Sequence, residues 1–153
     1  MITILFERQD RGTQEIRRIA LNLKDKIYSV DRFIQTNTSR VCPNCRKVCC
    51  INKHGYFDYQ DLIYIVALGL TQPVYGEGFE DAGPCQFLSE AGCRIERSLR
   101  PFRCNWHFCS ELIANMNEGP ARSLRKFNNK FQELQSLRQE MVDQFFRILS
   151  KRS

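Results

Sequence analysis

Four cysteines crowd into nine positions of this chain, Cys42, Cys45, Cys49 and Cys50, in the stretch CPNCRKVCC. In a reducing compartment, clustered thiols bind metal or do redox chemistry more often than they form structural disulfides. The Cys-x2-Cys turn of CPNC lets two thiolates point the same way, and its proline prearranges the backbone. Backbone N–H groups in such turns face the sulfurs and stabilise their charge. Cys49 or Cys50 can supply a third ligand. Consecutive residues diverge by about 180° in a strand and about 100° in a helix. The adjacent pair therefore either splits into one ligand and one packing residue, or serves two metals.

Four more cysteines follow: Cys85, Cys93, Cys104 and Cys109. Four sulfurs from each half could close two tetrahedral zinc sites or support iron–sulfur chemistry, and a single centre could equally draw from both halves. His54 and His107 read as outer donors or ordinary polar residues rather than ligands. Trp106, Phe108 and Phe102 are placed to shield a site from water, and Arg100 and Arg103 to offset thiolate charge or to pair with acids.

These side chains need a frame. From Gln14 to about Gln35, apolar residues fall at Ile16, Ile19, Ala20, Leu23, Ile27, Val30 and Ile34, one face of a helix. Beyond Gly119 and Pro120 the pattern returns at Leu124, Phe127, Phe131, Leu134, Met141, Phe145 and Ile148, a heptad seam whose polar entry is Arg138. The two helices are expected to pack antiparallel, with Arg122, Arg125, Lys126 and Lys130 on a solvated face. Between them, Asp58 caps a third, nearly all-apolar helix, YQDLIYIVALGL, stopped by Gly69. Residues 71–84 read as a Gly- and Pro-rich loop, and CQFL and CRIE as short strands around SEAG, carrying Cys85 and Cys93 on the two arms. The expectation is a mainly α fold with a small β-hairpin, its long N- and C-terminal helices packed around a cysteine-rich metal-binding middle. One domain, 1–153, comprises a core at 40–110 and flanking helices at 14–36 and 120–150.

Composition bounds the setting. No apolar run reaches the roughly 18 residues of a membrane span, and MITILFERQD meets its first charge too early for a signal-peptide core. The expected location is cytoplasmic; in an exported chain the cysteines would instead pair as disulfides. The net charge of +6 lies mostly in residues 120–153, with eight Lys and Arg against three acids. Four thiolates around a zinc ion or a cluster would add about −2. Charge alone is thus a weak argument for nucleic acid, which is disfavoured as a partner. The terminal helices offer a surface to a protein partner.

The combination CPNCRKVCC, the helix DYQDLIYIVALGL, CQFLSEAGCRI and RPFRC resembles the YkgJ-type cysteine-cluster family, a zinc- or iron-chelating domain. That family carries eight cysteines in the order C-x2-C-x2/3-C-C, C-x-F-L…C-x-I and R-P-x-x-C. Counterparts here are Cys42, Cys45, Cys49, Cys50, Cys85, Cys93, Cys104 and Cys109, over roughly residues 40–110. The resemblance implies metal binding by these thiols. The pattern is also similar to part of the flagellin lysine methylases, which implies an accessory role in a modification reaction.

The favoured function is therefore a cysteine-cluster protein that chelates iron, as a cluster or otherwise, or zinc, with a structural, carrier or accessory role. Its alternatives are an iron-dependent redox or protein-modification enzyme and a basic zinc protein that binds nucleic acid. A non-catalytic role is preferred. No Ser-His-Asp arrangement, phosphate-binding Gly loop or pair of catalytic carboxylates stands out, and two histidines leave little acid–base capacity near neutral pH.

Overall fold

The Asp10 carboxylate accepts the Thr13 N–H at 2.9 Å and starts helix α2, Arg11–Val41. A computed structural model of the chain describes residues 2–7, 10–45, 55–77 and 83–151. Before α2 lies the short α1, Ile2–Glu7; after it come α3, Tyr59–Ala67, the strands β1, Leu88–Ser89, and β2, Gly92–Cys93, then α4, Ser110–Glu118, and α5, Ala121–Ser150. The architecture is mainly helical with one small antiparallel hairpin, pairing Leu88 with Cys93 and Ser89 with Gly92.

α2 and α5, at 31 and 30 residues, are each about 45 Å long at 1.5 Å per residue. They run antiparallel. Gly12 meets Ile148 at one end, Lys26 pairs with Glu133 in the middle, and Phe33 stacks on Phe127 at 4.6 Å towards the other. The seam of α2 is buried from Ile16 through Ile34, and α5 answers with Phe127, Leu134, Met141, Val142 and Phe145. Each such side chain contributes roughly 1.5–3 kcal/mol by leaving water. Leu124, Phe131 and Ile148 pack half-buried against the same core.

α3 fills the side of this pair and is buried almost all round, as its composition leads one to expect. The Asp61 N–H donates to the Asp58 carboxylate at 2.7 Å, and the Asp58 N–H donates back to Asp61 at 3.2 Å. That reciprocal box satisfies two N–H groups that no helical carbonyl can reach. At the far end Gly69 takes φ +74°, with Gly69 N–H on the Val66 carbonyl and Leu70 N–H on that of Ile65. This left-handed stop suits a residue without Cβ. Arg17 of α2 reaches the terminal carbonyls of both α3 and α1, at Ala67 and Phe6.

Three differences from the sequence expectation have physical causes. α2 runs six residues past Gln35 because Asn37 takes the next inward position, donating to the Phe33 carbonyl and accepting from Asn115 of α4. The hydroxyls of Thr36, Thr38 and Ser39 bond carbonyls of the preceding turn, so polar residues continue the helix. The hairpin arms are two residues each, not four, because Leu88 N–H closes a turn onto the Cys85 carbonyl. Cys85 thus precedes β1, and Cys93 alone lies on a strand. Arg138, the polar entry in the α5 seam, is a tie: it pairs with Asp58 and Asp61, bonds Gln60 and lies 4.7 Å over the Phe102 ring.

No helix among the described residues is long and apolar enough to cross a membrane.

Candidate metal centre

The first two thiols sit where α2 ends. Cys42 is the C-cap of that helix and opens a 3-10 turn, Cys42–Asn44, with the proline inside it. Cys45 N–H closes the turn onto the Cys42 carbonyl at 3.2 Å, and both residues are half-buried. This is the tight turn expected of Cys-x2-Cys. Cys49, Cys50 and His54 lie outside the described residues.

The chain returns at Gly55, with φ +64°. A Cβ built there would lie 2.7 Å from the Phe87 ring and 3.6 Å from the Cys85 sulfur. The residue directly after His54 is therefore pressed against the second group of cysteines. Around it, Phe57 N–H donates to the Tyr75 hydroxyl at 2.9 Å and Gly76 N–H to the Gln86 side chain at 2.7 Å. These bonds fold the 71–77 loop over the segment that carries Cys85.

Gly55→Ala should cost about 2 kcal/mol, because a left-handed backbone and a ring contact act together. Gly69→Ala, whose nearest neighbour is an Arg17 nitrogen at 3.8 Å, should cost only about 1 kcal/mol of backbone strain. Urea denaturation of the two variants compares them directly.

Cys93 on β2 and Cys104 in the 3-10 turn Phe102–Asn105 complete this side. Cys104 N–H donates to the Pro101 carbonyl at 2.8 Å, which fixes the turn. Crowding by protein atoms pushes the Cys104 thiol up to about 11, and charge on Cys93 and Cys85 pushes it the same way. The residue still meets solvent at its outer edge. Arg100 and Arg103 act in the opposite sense on that thiol.

Comparisons with protein-family models, curated proteins and solved structures find no match. The arrangement of the thiols must speak for itself. The hairpin sets Cys85 beside β1 and Cys93 on β2, and the charge of both acts on the Cys104 thiol, although among the described residues no three Cys, His, Asp or Glu side chains converge as a metal-binding group. Cys109 is the N-cap residue of α4, and its thiol acts on the Glu111 carboxylate, which the Glu111 N–H, Ser110 and this thiol together hold below its ordinary value.

The expected shields separate as well. Trp106 is 49% exposed and meets the His107 ring edge-on at 6.2 Å. Phe102 stacks on Phe131, and Phe108 tilts onto Phe127, so both serve the helical core. Two polar residues of this region escape sequence patterns altogether. Arg97, buried, pairs with Asp31 of α2 and pins the stretch between Cys93 and Cys104 to the long helix. Asn105, next to Cys104, is fully buried, and among the described residues neither atom of its amide has a hydrogen-bond partner. A lone Arg or Asn in a loop carries no periodic signal that could have found them.

Proposed function

We propose that this chain is a thiolate metal-binding protein, holding iron or zinc between the two groups of cysteines, in a structural, carrier or accessory role. Membership of the YkgJ-type cysteine-cluster family is part of the same proposal, since the order of the eight cysteines is that family's. The observation that carries it is the approach of Gly55 to the Cys85 sulfur. It brings the end of the segment bearing Cys49 and Cys50 to the neighbourhood shared by Cys85, Cys93 and Cys104.

The donor type fits such a group. Thiolates suit zinc and iron–sulfur centres, and three thiols brought near one another repel as anions unless a cation lies among them. Cys85, Cys93 and Cys104 would hold the metal from one side, with Cys42, Cys45 and the Cys49–Cys50 pair completing the set. Cys109, the N-cap residue of α4, would be the eighth. A bound metal would supply a cross-link between the end of α2 and the hairpin, or, if iron, a redox centre. Arg100 and Arg103 balance the thiolate charge. Arg97 holds the intervening loop on α2, which keeps Cys93 and Cys104 in register.

Metal analysis of protein purified without oxygen tests this reading. Stoichiometric iron or zinc is expected, with broad visible absorption in the iron–sulfur case and a colourless sample with zinc. Cys42→Ser, Cys45→Ser and Cys104→Ser should each bind the metal at least tenfold more weakly, and Cys109→Ser should lose least. A chelator should lower the melting temperature of the wild type, because metal binding to a site formed only on folding is folding free energy. Metal-free protein from metal-replete cells, or unchanged metal content in all four variants, would overturn the proposal.

A further inference from the structure

Away from the cysteines, a groove of about 370 Å³ runs between α2 and the α4–α5 junction. Four cationic side chains line it, Arg32 and Arg40 from α2 and Lys126 and Lys130 from α5, and no Asp or Glu does. Among the described residues, none of the four forms an ion pair with a carboxylate, whereas Lys26, one turn from Ser29 along α2, pairs with Glu133. Ser123 adds a hydroxyl to the walls, while the hydroxyls of Ser29 and Thr36 donate to the Lys26 and Arg32 carbonyls of their own helix. The spacing is helical on both sides: residues 29, 32, 36 and 40 share one face of α2, and residues 123, 126 and 130 one face of α5.

Like charges so placed repel one another, and their summed field is focused by the low-dielectric walls of a cleft. Nothing in the packing of the core requires them there, since Val30, Ile34 and Phe127 make that contact underneath. The floor is apolar, with half-buried Phe33 stacked on Phe127. Lys130 is held in place by its bond to the Ser29 carbonyl at 3.1 Å. The uncapped first turn of α5 opens at the Pro120 end of the groove.

We propose that this groove binds a small, multiply charged phosphate compound of nucleotide size. Its phosphates lie among Arg32, Arg40, Lys126 and the Ser123 hydroxyl, and its uncharged body rests over the Phe33 ring. A volume of about 370 Å³ lies within the roughly 300–1,000 Å³ typical of small-molecule sites. It is short for a nucleic-acid track, and its aromatic lining is one stacked pair, Phe33 on Phe127, where single-strand binders present several surfaces for successive bases. No cysteine lines the groove; Arg40 stands two residues before Cys42, so the test uses Arg32 and Lys126 and stands or falls independently of metal binding.

Calorimetric titration of the full chain with ATP, inorganic tripolyphosphate and a short oligothymidylate distinguishes the sources of phosphate. ATP should bind with one-to-one stoichiometry, and tripolyphosphate should compete with it. The paired change Arg32→Gln with Lys126→Gln should weaken ATP binding at least tenfold while leaving the circular dichroism spectrum and melting temperature unchanged. Lys24→Gln, outside the groove, should leave affinity as it was. Loss of folding in the paired variant would be bypassed by Lys126→Gln alone, for which a threefold or larger weakening is expected. The proposal is overturned by absence of ATP binding to the wild type, by affinity indifferent to these groove changes, or by oligothymidylate binding more tightly than ATP.

Discussion

Phe145→Ala is expected to lower the unfolding free energy by about 4 kcal/mol, within the range for removing a buried aromatic ring. Phe145 is fully buried, at 0% exposure. It touches three elements at once: its ring stacks near Phe6 of α1 at 6.3 Å and meets Tyr59 of α3 edge-on at 6.2 Å, while its backbone belongs to α5. Truncation would leave a cavity that no single helix can collapse into, because each wall is held by a different tie. Arg17 holds α1 and α3 by their carbonyls, and Arg138 holds the head of α3. Neighbouring Phe146, 45% exposed, supplies the control, and Phe146→Ala should cost under about 1 kcal/mol. Urea midpoints measure both, and for a chain of this size the larger loss corresponds to roughly 10 °C in melting temperature. Equal costs for the two variants would mean that the junction of α1, α3 and α5 is not packed as described.

That junction also marks how far the amino-acid sequence could be read. The seams of α2 and α5 were legible because each apolar residue recurs every three or four positions, a pattern only a buried helical face requires. The Asp58 cap was legible because an N-cap acid followed by a second acid three residues later satisfies local N–H groups, and both partners lie within one turn. Long-range partners were not. Arg138 looked like a gap in the apolar seam; its function comes from Asp58 and Asp61, some eighty positions earlier. α4 presents only Leu112 and Met116 to the core, too few to define a period. The cysteines showed the same limit: their number and clustering were plain, and the tight CPNC turn is local. Which thiols face one another depends on the Gly55 contact with Cys85 and on the Arg97 pin, and neither leaves a trace in spacing.

Asp61→Ala should cost about 3 kcal/mol, at the lower end for breaking a buried pair. The Asp61 side chain is 6% exposed and Arg138 16%. One carboxylate serves three partners: it accepts from the Asp58 N–H at 3.2 Å, from the Phe102 N–H at 3.1 Å and from Arg138 at 3.0 Å. Removing it undoes half of the α3 cap, worth about 1 kcal/mol, and leaves the Phe102 N–H without its acceptor, worth about 1–2 kcal/mol more. Arg138 then keeps only Asp58, which is 61% exposed and screened by water. The Phe102 bond matters beyond stability, since it anchors the turn that presents Cys104. Asp61→Asn retains an acceptor oxygen and should lose less. A double-mutant cycle with Arg138→Ala should give a coupling energy of at least about 1 kcal/mol, as expected for direct contact. Burial, the largest influence, raises the Asp61 carboxyl above its ordinary 3.8, with further upward pressure from Asp58. The folded protein therefore holds this proton more tightly than the unfolded chain. That contribution to stability is complete below pH 3.8 and is lost as pH rises through the raised folded value. Against Asp61→Asn, which does not titrate, wild-type stability should fall across that window and level off above it. Parallel profiles for the two proteins through the window would show that burial does not outweigh the Phe102 N–H and Arg138 at this carboxyl.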